Sequence, residues 1–193
     1  MLSLLLLSIS ALCADKDQGK FRVGPAGSYP NKQSGGGLTI AVIPYTTSEQ
    51  SRPAFGKVNP YEHGVLPVLI VMQNDSGKAL RLDRMEVHYV TRSRRSVIAT
   101  PAADVPYLEG AKRPDMGGSP IPFPLPRRKK NNKLAIAEIE GHAFNAKMVP
   151  AADSAHGFVY FQTGLSAGSH IYIKGLVEAP TGQELLFFEI PLD

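Results

Sequence analysis

Four groups of side chains have types and spacings that point to chemistry. Gly164-Leu165-Ser166-Ala167-Gly168 fits the G-x-S-x-G pattern of a hydrolase nucleophile elbow. That pattern works only on a strand-to-helix turn, with an acid and then a His following the serine. Here the residues after it are His170-Ile171-Tyr172-Ile173, which read as a strand, and no acid lies between Ser166 and His170. The plainer reading is a Gly/Ser turn between strands. Glu138, Glu140 and His142 form the second group. On a strand the three share a face and can grip a divalent metal, whereas on a helix only Glu138 and His142 are neighbours. Oxygen and imidazole ligands suit zinc or a non-haem metal, with a further ligand from elsewhere. Solvated carboxylates beside a surface His explain the same residues. Third, Asn74-Asp75-Ser76 fits a glycosylation sequon, and Asn74-Asp75-Ser76-Gly77 is equally a turn.

The fourth group is basic. Lys112, Arg113, Arg127, Arg128, Lys129, Lys130 and Lys133 stand against Asp115, so residues 112–133 carry +6 of a chain whose total is +4. The remainder is therefore −2, and the positive charge belongs to one segment. These seven cations are the candidate contacts for an anionic partner: an envelope protein, a surface polymer or lipid headgroups. Nucleic acid fits poorly, because the basic run carries no interleaved aromatic residues to stack bases. The alternative is a solvated loop that keeps the domain soluble.

The chain that must position these groups has 193 residues, 43% of them hydrophobic, 18 Gly, 16 Pro, one Cys and no Trp. One domain is expected at this length. A lone Cys rules out an internal disulfide and any multi-cysteine zinc site. Residues 1–14, MLSLLLLSISALCA, are uncharged and Leu-rich but too short to span a bilayer, and they read as a secretory signal peptide. Ser10-Ala11-Leu12-Cys13 resembles a bacterial lipobox except at Leu12, which makes Cys13 a candidate lipidation site; otherwise Cys13 is discarded or left near the cleavage point. No other stretch is long and apolar enough to span a membrane. Residues 15–37, with Gly35-Gly36-Gly37, suggest a flexible tether.

From residue 38 to 193 the pattern is β. Leu38 to Ile43 is rich in β-branched residues, and Val65 to Met72 is an almost unbroken apolar run, as in a strand buried on both faces. Met85, Val87 and Tyr89 share one face by the two-residue period. Short strands follow at 97–99, 157–162, 170–174 and 184–190, with a polar loop over 44–64 and a short helix over about 134–142. Seven of the 16 prolines lie between Pro101 and Pro126, so 101–133 reads as a long proline-rich basic loop. Seven or eight short strands separated by turns imply an all-β antiparallel sandwich.

The apolar strand ending in Asn74, the Asn-Asp-Ser-Gly turn, and Val149-Pro150 leading into His156-Gly157-Phe158-Val159-Tyr160-Phe161 resemble immunoglobulin-like β-sandwich domains of uncharacterised bacterial exported and envelope proteins. The resemblance spans 65–91 and 148–190 and departs after Pro150, where Ala151-Ala152-Asp153 replace the usual glycine. It implies a fold and a periplasmic or envelope address, and no chemistry. The expectation is a non-enzymatic exported binding or structural module without a cofactor. An envelope enzyme or metal-binding domain built on Glu138, Glu140 and His142 is the alternative.

Overall fold

The computed structural model describes residues 21–107 and 136–192. The expected signal peptide, Cys13, and all seven cations of the basic loop lie outside the described residues.

Among the described residues eleven strands form three antiparallel sheets. The first contains β1 (Lys32–Gly35), β2 (Leu38–Pro44), β3 (Leu66–Asn74) and β8 (Asp153–Phe161), paired in that order. The second runs in the order β11 (Phe188–Pro191), β9 (His170–Lys174), β5 (Glu86–Val90), β6 (Ser96–Ile98). A small third sheet joins β10 (Val177–Glu178), β4 (Leu80–Arg81) and β7 (Met148–Val149). The two larger sheets pack through one core. Leu38, Ile40, Val42, Leu66, Val68, Ile70, Met72 and Phe161 come from the first sheet, and Val87, Tyr89, Ile171, Ile173, Phe188 and Ile190 from the second. Alternation along each strand places these residues inward, and burying each such side chain is worth about 1.5–3 kcal/mol.

The back of the first sheet is also covered. Ala41, Leu69, Val71, Phe158 and Tyr160 point away from the second sheet and pack against Ala26, Ala54, Phe55, Val105 and Ile139. β3 is consequently buried on both sides, as its apolar run requires, with only Gln73 partly exposed. Pro67 is the second residue of β3, close to the strand start, where a missing N–H costs least.

Two helices supply part of that cover. The second, α2 (Ile136–Gly141), falls within the helix expected over 134–142 and places Ile139 in the rear core. The first, α1 (Ser48–Phe55), lies in the stretch expected as a loop. A capping box starts it: the Gln50 amide donates to Thr47 Oγ1, and Gln50 Oε1 accepts from the Thr47 amide, both at 3.3 Å. Ala54 and Phe55 then anchor its final turn.

Residues 21–37, the distal part of the expected tether, belong to the domain. Phe21 and Val23 pack on the rear core, and Lys32–Gly35 pair with β2 through a Gly36-Gly37 turn, both glycines having positive φ. Paired glycines read compositionally as a linker, yet they also supply the conformations that a tight hairpin needs. Strand β11 is shorter than the strand expected over 184–190, since residues 183–187 run irregularly along β10.

A hydrogen bond bridges the large sheets at each lateral seam. The Glu189 amide donates to Gln33 Oε1 at 2.8 Å, joining β11 to β1. The Thr100 amide donates to the Tyr160 carbonyl at 2.7 Å, joining the chain after β6 to β8. Edge strands that meet in this way offer little to an incoming strand.

Candidate functional site

The G-x-S-x-G segment connects β8 to β9, two strands, so it has no helix to aim a nucleophile. Tyr89, fully buried on β5, reaches into it: its hydroxyl donates to the Gly164 carbonyl at 3.1 Å, accepts from the Ser166 amide at 2.9 Å, and lies 2.9 Å from Ser166 Oγ. Tyr61 Oη accepts from the Leu165 amide at 3.2 Å. Two tyrosines thus shape this turn, and the Ser166 hydroxyl is bonded to a phenol rather than to a histidine base. His170 instead faces Glu189, at 3.7 Å.

Glu138 and Glu140 are exposed on α2, and the His142 amide donates to the Glu138 carbonyl just past the helix end. Helical spacing breaks the three-residue face that a strand would have created. The His142 ring packs edge-on to Phe21, with centroids 5.1 Å apart, and near Phe55 at 6.5 Å. Among the described residues no three His, Cys, Asp or Glu side chains are grouped to hold a metal ion.

Asn74 is buried completely, and its side chain is committed. Nδ2 donates to the carbonyls of Lys78 (2.7 Å), Val149 (3.1 Å) and Pro150 (2.8 Å), while Oδ1 accepts from the amide and hydroxyl of Ser76. The sequon is therefore a turn and a clamp, inaccessible for modification in the folded chain. It also bonds the end of β3 directly to the Val149-Pro150 segment.

The surface with chemistry to offer is the outer face of the sheet β11-β9-β5-β6. Its neighbour's outer face is covered, but this one carries Glu86, His88, Ile98, His170, Tyr172, Lys174 and Glu189 at alternate positions. Register sets them in rows, with His88 opposite both Ile98 and Tyr172, and Glu86 opposite Lys174. Tyr172 lies 6.2 Å from the His88 ring and 5.4 Å from the Phe187 ring, the latter inclined at 33°. Ile98, Leu186 and Phe187 are exposed at 70%, 85% and 51%, large values for apolar side chains.

The charges on this face are largely paired with one another. Glu86 Oε2 is 3.1 Å from both Lys174 Nζ and His88 Nε2. Hydrogen bonding to Lys174, then to His88, holds the Glu86 carboxyl below its ordinary range, and hydrogen bonding to Glu86 raises the Lys174 ammonium. Beside the face lies a groove of about 430 Å3 between the β1 hairpin and residues 183–188, lined by Gln33, Ser34, Glu184, Leu186 and Phe187 among others. Sequence reasoning missed this site because no motif marks it. The alternation of His88, Tyr172 and Lys174 was legible, but which strands lie side by side was not.

Among the described residues no helix is long and apolar enough to cross a membrane. No family model and no curated protein matches the chain. Among solved structures, the X-ray structure of Northeast Structural Genomics Consortium target SoR45 is similar over 83% of this chain and 85% of its own, at 10% identity and a TM-score of 0.33.

Proposed function

We propose that this protein is a non-enzymatic exported binding module of the cell envelope, built on an immunoglobulin-like β-sandwich. The observation that carries the reading is the asymmetry of the two large sheets. One has its outer face packed under helices and loops, and the other leaves an aromatic and ionic face open beside a groove. Exposed aromatic side chains collected on one face are typical of contact surfaces. The bonds that bridge the lateral seams favour contact through side chains over strand addition.

The basic segment 112–133 is the second contact region, for anionic envelope components, because it concentrates +6 on a body of −2. Salt separates the two regions, since contacts between exposed charges are screened and apolar contacts are not. The test is co-sedimentation of the full chain with insoluble envelope material. Retention through the open face resists high salt and falls in a Tyr172→Ala/Phe187→Ala double variant. Retention through the basic segment is salt-sensitive and falls when Arg127, Arg128, Lys129 and Lys130 are changed to Gln. Sedimentation unaffected by either variant would overturn the reading.

A further inference from the structure

The open face and its groove differ from a general apolar docking patch in how their polar groups are arranged. Phe187 belongs to both, lining the groove and stacking against Tyr172 at 5.4 Å. On the β1 side the groove carries a neutral polar side chain, Gln33. Gln33 Oε1 accepts from the Glu189 amide at 2.8 Å, which fixes the side-chain amide and leaves its NH2 group as a donor. Ser34, the next residue, alternates to the other face of β1 and bonds Thr39 there at 2.8 Å, so Gln33 is the polar side chain that β1 turns toward the second sheet.

Electrostatics narrows the ligand class. Glu86, Glu184 and Glu189 stand against Lys174, so the region is mildly acidic when His88 and His170 are neutral, which disfavours anionic polymers, nucleic acid and anionic lipid. The region is also a poor receptor for a strongly cationic segment. Glu86 is already bonded to Lys174 and His88, Glu189 faces His170, and Glu184 lies in the field of Lys174. What remains is two tilted aromatic faces flanked by an amide and carboxylate oxygens. A sugar ring has the complementary pattern: polarised C–H groups on one face to meet a π-system, and equatorial hydroxyls around the rim to exchange hydrogen bonds with such groups. A groove of this volume is within the range of small-ligand sites.

We propose that Tyr172 and Phe187, with Gln33 and Glu184, form a binding site for a neutral polysaccharide chain. Pyranose rings stack on the two aromatic faces, and the adjoining sugar unit enters the groove. The inference rests on the reading of the open face as a contact surface and names its ligand.

The test is titration of 15N-labelled full-length protein with cellohexaose, chitohexaose and laminarihexaose, and with hexalysine as a charged control. Expected is binding of at least one hexasaccharide, with amide shifts centred on residues 33–36, 172 and 184–188. Phe187→Ala and Tyr172→Ala each weaken it about tenfold, the scale of one lost aromatic contact. Both residues are at the surface, so their variants keep the fold. Gln33→Met, which preserves size but removes the amide, weakens binding without altering the aromatic platform. No shift with any hexasaccharide at about 1 mM, shifts elsewhere on the molecule, or unchanged affinity in all three variants would overturn the proposal. Binding of hexalysine alone would assign the face to a cationic peptide. If sugars fail while Tyr172→Ala/Phe187→Ala still abolishes envelope sedimentation, only the ligand class is wrong. If the double variant also sediments normally, the contact surface is wrong as well.

Discussion

Asn74 and Glu86 illustrate opposite uses of a polar side chain. Asn74 is buried, and its Nδ2 serves three carbonyls, one in its own turn and two in the remote Val149-Pro150 segment. Asn74→Ala leaves those carbonyls short of a donor, and the expected loss is about 3 kcal/mol, measured by urea denaturation at constant m. A loss below 1 kcal/mol, about the value of one ordinary hydrogen bond, would mean that the clamp matters little. Glu86 is exposed, and its ion pairs act through pH. Its folded-state pKa lies below the ordinary value of 4.5, so its contribution is present above that value and is lost as pH falls through the lowered one. Glu86→Gln therefore lowers Tm modestly at about pH 7, and the gap from the parent protein closes on acidification. A gap that widens on acidification would contradict the assignment. The sequence identified Asn74 as a turn residue, because an Asn-Asp-Ser-Gly string declares its local preference. Its long-range bonds to residues 149 and 150 were not legible, since they depend on where another strand ends.

Among the elements, β8 carries the tightest steric condition. A Cβ on Gly157 would lie 2.5 Å from Phe144 Cα and 2.6 Å from its nitrogen. The chain after α2 comes this close because it bonds to the edge of β8 that faces away from β3: the Phe144 amide donates to the Phe158 carbonyl, and the Phe158 amide to the His142 carbonyl. Gly157→Ala forces these backbones apart, and the expected outcome is a loss of about 1–3 kcal/mol with faster hydrogen exchange at Phe144 and Phe158. Unchanged exchange at those amides would show that the strand yields elsewhere. At α1 the sequence carries a start signal inside a stretch that otherwise reads as a loop. Thr47 and Gln50 form a capping box, but the helix is short, contains Pro53 and has only a narrow apolar stripe. Thr47→Ala is expected to cost about 1 kcal/mol and to increase amide exchange within 48–55, with the sheets unaffected. Global unfolding of this variant would mean that α1 is more than a cover.

At the scale of the whole molecule, charge and layering divide the work. The seven cations of 112–133 make the chain basic although the rest is net acidic, so replacing Arg127, Arg128, Lys129 and Lys130 by Gln takes the total from +4 to 0. The expected outcome is earlier elution from a cation exchanger with Tm unchanged; a fall in Tm would place those cations in the fold. The sequence by itself determined the longer apolar strands, the double burial of β3 and the location of the charge, because each follows from local alternation, apolar runs or a count; β1, inside the segment expected as a tether, was not among them. It also carried the argument for reading Ser166 as a turn residue, since no acid lies between Ser166 and His170 and the following residues read as a strand. Only the tertiary structure decided which sheet face is covered. Outward residues of β8 and of β9 both include aromatics, and neither sequence states whether a helix will lie over them. Phe158 and Tyr160 became core, whereas Tyr172 stayed at the surface beside Phe187. The difference arises because α1, α2 and residues 21–29 all return to one side of the molecule, and long-range packing of that kind has no local signature.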